Sequence, residues 1–269
     1  MLNTTKSFSL IANQFVVNFL LQIGHAKTQE DINQINNILA NEPNSIMATN
    51  NKSCNVLHAI ALNPNNIADS LLETIEQYIT LDSMHLYYDQ CFGGYTPLMI
   101  SLSQKQENNF FPLLNSQYRM LKKYIPNQIQ HNLKYTINIQ DNLGKSLLHL
   151  AVEIQHSEYT TTLLQQGADP NMLDNSGQSP LHLAVLQNFN YPKILAKGVD
   201  NPIVIYNCKK SMPHLAITPS FNHPKALLQQ GANPNMLDNS GQSPLHLAIA
   251  KHNYEYTEVL LEYAANPNI

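Results

Sequence analysis

The chain has 269 residues, of which 43% are hydrophobic and 13% charged, with a formal net charge of −4. Residues 1–140 carry 8 basic and 9 acidic groups and residues 141–269 carry 7 and 10, giving −1 and −3. Neither half has the basic stripe that phosphate neutralisation requires, which argues against nucleic acid as a main partner. Cys54, Cys91 and Cys208 are far apart and form no CxxC pair, which argues against a disulfide framework or a zinc site and for a reducing, intracellular environment.

From the N-terminus, the stretch MLNTTKSFSLIANQFVVNFLLQIGHA has one lysine and an apolar run interrupted by Asn13, Gln14 and Asn18. Phe8, Ile11, Phe15, Phe19 and Ile23 recur every three or four residues, as on one helix face, so the segment reads as an amphipathic capping helix in preference to a signal peptide. No stretch reaches the ~18 uninterrupted apolar residues of a membrane span.

Internal repetition carries most of the information. Residues 163–185 read LLQQGADPNMLDNSGQSPLHLAV and residues 227–249 read LLQQGANPNMLDNSGQSPLHLAI, an offset of 64 that suggests two units of about 32 residues. SLLHLA (146–151), SPLHLA (179–184), SMPHLA (211–216) and SPLHLA (243–248) form a ladder, with NVLHAI (55–60) and TPLMIS (96–101) as weaker members upstream.

These motifs resemble the ankyrin family, whose unit of 33 residues opens its first helix with T-P-L-H-x-A. The matching text is DNLGKSLLHLAV…LLQQGADPN and DNSGQSPLHLAI…LLEYAANPN. The resemblance implies an all-α solenoid of stacked helix-turn-helix units with short β-hairpin fingers. It divides the chain into an N-terminal helical cap or partial repeat (1–42), degenerate repeats with insertions (43–137) and regular repeats (138–269). TQEDINQINNILANEPNSI looks like the outer helix and turn of a partial first unit.

The residues agree with that reading. In DNSGQS, Asp174 can bond the backbone ahead and Gly177 can take positive φ cheaply. Ser179 stands where an N-cap belongs and Pro180 at the first helical position. Gly167 follows a second helix as its C-terminal stop. The unit around 206–216 departs from the pattern: Tyr206 replaces the aspartate, Lys209 the glycine and Pro213 a leucine, so its helices are expected to be short or bent. Ala264 takes a glycine slot near the C-terminus.

The 11 histidines invite a catalytic or metal reading. His58, His149, His182, His214 and His246, however, share one repeat slot. The resemblance implies that this imidazole joins the turn to the helix start. No HExxH, GxSxG, Walker loop or GxGxxG is present. Cys91 reads as a buried, inert thiol. Neither catalytic residues nor a metal or cofactor are implied.

The resemblance implies instead a protein-binding scaffold, monomeric and cytoplasmic, that meets one protein partner through finger tips and the first-helix face. Carried over residue by residue, the contact positions are Asn142, Leu143, Lys145, Glu153 and Ile154; Asn175, Ser176, Gln178, Leu186 and Gln187; Asn207, Lys210 and Thr218; and Asn239, Ser240, Gln242, Ala250 and Lys251. The 34 asparagines together with these repeats are similar to effector proteins that intracellular bacteria deliver into host cells. Two other readings stay open: an enzyme with its centre in residues 1–137, and a substrate for asparagine hydroxylation, since LLQQGADPN places Leu163 six residues before Asp169 with Asn171 two further on.

Overall fold

Most of the described helices begin where the chain supplies a capping side chain. A computed structural model describes residues 15–104, 107–187 and 223–269. Helix α1 (15–25) is followed by α2 (Gln29–Asn41), where the Thr28 hydroxyl accepts the Asp31 N–H and the Asp31 carboxylate accepts the Thr28 N–H. Five short helices then start directly after Asn55, Thr96, Ser146, Ser179 and Ser243: α3 (Val56–Ala61), α5 (Pro97–Ser103), α8 (Leu147–Glu153), α10 (Pro180–Leu186) and α12 (Pro244–Ala250). In three of them proline takes the first helical position, where its missing N–H leaves no bond unmade.

Two turns of helix are too short to persist alone in water. Burial holds them: every residue of α3 is buried, as are Leu147–Val152 of α8 and Pro180–Val185 of α10. They stack as an inner row, α3 on α5, α5 on α8, α8 on α10 and α10 on α12. The outer row consists of α4 (Ala68–Glu76), α6 (Phe110–Tyr124), α9 (Ser157–Gln165), α11 (His223–Gln229) and α13 (Tyr254–Glu262). Within it, α2 packs on α4, α4 on α6, α9 on α11 and α11 on α13. Phe110 of α6 meets Tyr159 of α9 with ring centroids 4.5 Å apart. Between α6 and the next inner helix lies an additional helix, α7 (Ile129–Ile137), which accounts for the stretched spacing in that part of the sequence.

One continuous apolar core runs from Phe19 to Ala265. In α1, Phe19, Leu20 and Ile23 point into it, whereas Phe15 is exposed and stacks on Phe19. Phe8 and Ile11 lie outside the described residues. Among the described residues the chain forms no strand, only one isolated bridge, Gln140 to Ser146. The expected helical stack is therefore what the chain forms.

Each inner helix is preceded by a five-residue finger, in which the first N–H donates to the fifth carbonyl. The pairs are Asn50 to Cys54 (3.0 Å), and Cys91 to Tyr95, Asp141 to Lys145, Asp174 to Gln178 and Asp238 to Gln242 (each 2.9 Å). The Asp174 carboxylate accepts the Ser176 and Gln178 N–H groups, and Asn50 does the same for Lys52 and Cys54. The fourth residue is left-handed throughout, including Ser53 with φ 60° and Gly177 with φ 72°.

The order of layers corrects one expectation. The 64-residue offset suggested a unit around 206–216 between the two near-identical ones. That unit lies outside the described residues, but its neighbours touch directly. Asn239 N donates to Ser176 O at 3.1 Å, continuing the series Phe92 to Lys52 O, Asn142 to Gly93 O and Asn175 to Leu143 O. Moreover α10 packs against both α11 and α12. Residues 180–186 and 223–229 thus form one helix pair, and no layer separates finger Asp174–Gln178 from finger Asp238–Gln242. The physical reason is complementarity: the repeated text gives 238–242 the same mating surface as any regular finger.

Candidate partner-binding surface

Three buried histidines tie the layers together. Nδ1 of His58, His149 and His182 accepts the N–H of Asn55, Ser146 and Ser179 at 3.1, 3.1 and 3.2 Å. Each Nε2 lies 3.1 Å from a carbonyl of the next finger: Tyr95, Gln178 and Gln242. Burial, the largest effect, lowers the pKa of all three, that of His58 to about 4. They are therefore neutral at pH 7, and the network assigns the ring proton to Nε2, the only nitrogen facing an acceptor alone. The shared slot thus joins turn to helix start, as the resemblance implied, and also joins each layer to the next. His246 makes the bond to Ser243 N at 3.2 Å but is exposed. His214 lies outside the described residues.

An asparagine series repeats this linkage at the outer-helix ends. The side-chain carbonyls of Asn138, Asn171 and Asn235 accept the N–H of Asp169, Asn233 and Asn266 at 2.8, 2.7 and 2.7 Å. Their amide groups donate to the carbonyls of Gly167, Gly231 and Ala264. Asn171, the residue of the hydroxylation reading, is therefore bonded through both ends of its side chain.

The finger series brings the carried-over contact positions into one line. Asn142, Leu143, Asn175, Ser176, Asn239, Ser240, Gln242, Ala250 and Lys251 are exposed. The first-helix positions are less free than expected. Lys145 and Glu153 are half-buried and pair with each other at 2.6 Å. Ile154 and Leu186 are half-buried against the core, because the inner helix is short enough for its last apolar residue to be covered by the layer beside it. Gln178 is half-buried, and half-buried Gln187 takes the Gln155 amide at 2.9 Å. Asn207, Lys210 and Thr218 lie outside the described residues.

Carrying positions over only from the regular units missed two sets of residues. Phe92 is the most exposed large apolar residue of the described chain, at 78%, and its finger neighbour Leu143 is 57% exposed. Phe92 occupies the slot of Asn142, and the weak TPLMIS match had already located that finger. The other set is Gln90 and Gln140. Gln90 donates to Gln140 O at 2.7 Å and Gln140 to Leu173 O at 2.8 Å, bracing successive fingers.

Beside Phe92 lies an open depression of about 400 Å³ lined by Lys52, Ser53, Gln90, Cys91 and Asn142 among others. Among the described residues no three His, Cys, Asp or Glu side chains stand together as a metal site. None of the described helices is long and apolar enough to cross a membrane.

The geometry agrees with what comparison with known proteins finds. Part of the chain is 29% identical over 116 residues to NF-kappa-B inhibitor alpha of Sus scrofa, covering 43% of this chain and 37% of that protein. It is also 31% identical over 100 residues to neurogenic locus notch homolog protein 1 of Homo sapiens, covering 34% of this chain and 4% of that protein. The fold is similar to the crystal structure of the ankyrin repeat domain of Bcl-3, with a TM-score of 0.62, 19% identity and coverage of 93% of this chain and 87% of the other. The family model for ankyrin repeats (3 copies) matches residues 115–205 and 201–269. With more than half its length matched and its helix pairs joined by stacked fingers, the chain belongs to the ankyrin-repeat family.

Proposed function

We propose that this chain is a binding module whose finger tips, with the exposed ends of the inner helices, hold a protein partner. The observation that carries this reading is the pair Phe92 and Leu143, two large apolar side chains exposed on adjacent tips that the backbone bond from Asn142 N to Gly93 O fixes side by side. Apolar groups carried on a pinned backbone supply burial on association while little backbone freedom remains to be lost. Asn175, Ser176, Asn239 and Ser240 continue the line with exposed polar groups suited to a rim. NF-kappa-B inhibitor alpha is by its name an inhibitor, and an inhibitory contact of the same kind is within reach of such a surface.

The further reading, that the partner is cytoplasmic and that the chain acts as an effector delivered into a host cell, rests on the asparagine-rich composition combined with these repeats. An enzymatic role for residues 1–137 is less well supported, since α1–α6 share the core of the regular repeats.

The test places a photo-crosslinking residue at 92 or 143 and, as controls, at the exposed outer-helix positions 158 and 255. Adducts from 92 and 143 alone are expected. The double variant F92S/L143S should weaken capture of the crosslinked partner by about 10-fold or more if these are anchors, with stability changed by under about 0.5 kcal/mol per site. Adducts from the outer helices alone, or undiminished capture by F92S/L143S, would remove the binding site from the tips.

A further inference from the structure

Cys54 and Cys91 lie 37 positions apart in the sequence, yet the fold brings them together. Cys54 ends the first finger, its carbonyl accepting Asn50 N, and Cys91 begins the second, its N–H donating to Tyr95 O. The two fingers are pinned by Phe92 N on Lys52 O at 2.9 Å, one residue after Cys91 and two before Cys54. Cys54 Sγ donates to Lys52 O at 3.9 Å and Cys91 Sγ to Phe92 O at 3.7 Å, so the two thiols flank that pin from either side, near enough to influence each other's titration. Cys91 stands where the regular fingers have aspartate, so the thiol pair replaces a carboxylate at the finger root. Cys54 is half-buried, and Cys91 borders the open depression shared by Lys52, Ser53 and Phe92.

We propose that Cys54 and Cys91 are a thiol–disulfide couple that reacts with small-molecule disulfides and, when oxidised, clamps the first finger to the second. The reaction occurs in two exchanges. The Cys54 thiolate attacks one sulfur of the small disulfide, forming a mixed disulfide and releasing one small thiolate. Cys91 then loses its proton to solvent and attacks Cys54 Sγ; the Cys54–Cys91 bond forms and the second small thiolate leaves. Two protein thiols lose two electrons, and the small disulfide gains two to become two thiols.

The surroundings assign the roles. Cys54 is half-buried and Cys91 buried, so Cys54 is the sulfur a small disulfide reaches and Cys91 the resolving one. The neighbouring Cys91 thiol is the largest influence on Cys54; with the Asn50 side chain and the charge of Lys52 it outweighs burial and lowers the Cys54 thiol, while the same neighbour and burial raise Cys91. A larger thiolate fraction outweighs the lower intrinsic nucleophilicity of each thiolate, so the first exchange is expected to be faster than at an ordinary thiol. The clamp would couple the redox state of the surroundings to the finger that carries Phe92. It stands on the thiol pair alone, so it does not depend on the binding proposal.

The test uses the full chain carrying C208A, so that only the pair remains, and oxidised glutathione at pH 7. Expected are loss of both thiols, a mass lower by two hydrogens, a peptide joining Cys54 to Cys91, and a rate above that of the urea-unfolded chain. C91S should stop as a stable glutathione adduct on Cys54, and C54S should leave Cys91 unreacted over the same period. C91A repeats the first of these tests without a hydroxyl at the finger root. The proposal is overturned if both cysteines carry separate glutathione adducts, if Cys91 reacts first, if the folded chain reacts more slowly than the unfolded one, or if both thiols persist.

Discussion

Gly177 and Gly241 occupy the same slot in two copies of the same finger text, with φ 72° and 73°. A Cβ on Gly241 would meet nothing within 4 Å, whereas on Gly177 it would lie 2.7 Å from the backbone N of Asn239 and closer still to its side-chain oxygen. Gly241→Ala therefore carries only the left-handed penalty, about 1–2 kcal/mol. Gly177→Ala carries that penalty and must also push finger 238–242 away, weakening the bonds from Asn239 N to Ser176 O and from Asn239 Nδ2 to Asn175 O. At about 1 kcal/mol per bond, the total reaches about 3–4 kcal/mol. The two variants should differ by about 2 kcal/mol in urea unfolding, or roughly 4–8 °C in melting temperature. Asn239→Gly, which removes the nearest oxygen, should recover part of the Gly177→Ala loss, with a coupling of about 1 kcal/mol in a double-mutant cycle. Equal losses at the two glycines together with zero coupling would refute direct stacking of the two fingers, since an intervening layer would separate Gly177 from Asn239.

Two further outcomes follow from buried polar groups. His58 has a folded pKa of about 4, below the unfolded value near 6.5, so the unfolded chain binds the proton first. Its contribution is complete above pH ~6.5 and is lost as the pH falls through the window down to about 4, amounting to about 2 kcal/mol by pH 5. Urea unfolding at pH 7 and pH 5 should show a smaller drop for His58→Gln than for the parent chain, and an identical drop would contradict the burial argument. The Asn109 amide donates to the carbonyls of Ile60, Ala61 and Asn63 at the end of α3, at 3.1, 3.1 and 2.7 Å. Asn109→Ala leaves those acceptors short of a donor in the core and should destabilise the chain by about 2–4 kcal/mol; a loss under 1 kcal/mol by chemical denaturation would show that another group takes over the carbonyls.

Much of the architecture was legible in the sequence because its determinants are local. A serine N-cap followed by proline, a glycine required at positive φ, and an aspartate that bonds the next two alternate N–H groups all act within five residues, so the text DNSGQSPLHLA specifies finger and helix wherever it occurs. The exposure of the proposed contact positions was only partly legible. Asn142, Ser176 and Lys251 were correctly placed on the outside by repeat position, but the pairing of Lys145 with Glu153 and the covering of Ile154 depend on neighbours that repeat position does not reveal. Phe92 was overlooked because its finger lies in a degenerate unit.

What only the tertiary structure decided are relations between units. Sequence spacing counts residues, and a count of 64 between two near-identical texts is met equally by an intervening layer and by none; the choice is made by which surfaces mate, and Asn239 on Ser176 makes it. Likewise Cys54 and Cys91 show no motif spacing, because the 36 residues between them hold a complete helix pair. Stacking that pair returns the chain one finger's width from its start and sets the two thiols on either side of the bond from Phe92 N to Lys52 O. The sequence by itself determined the shape of each finger and helix, through short-range capping and backbone preferences. The order of the layers and the neighbours of each thiol were settled by packing, which acts between residues the chain keeps far apart.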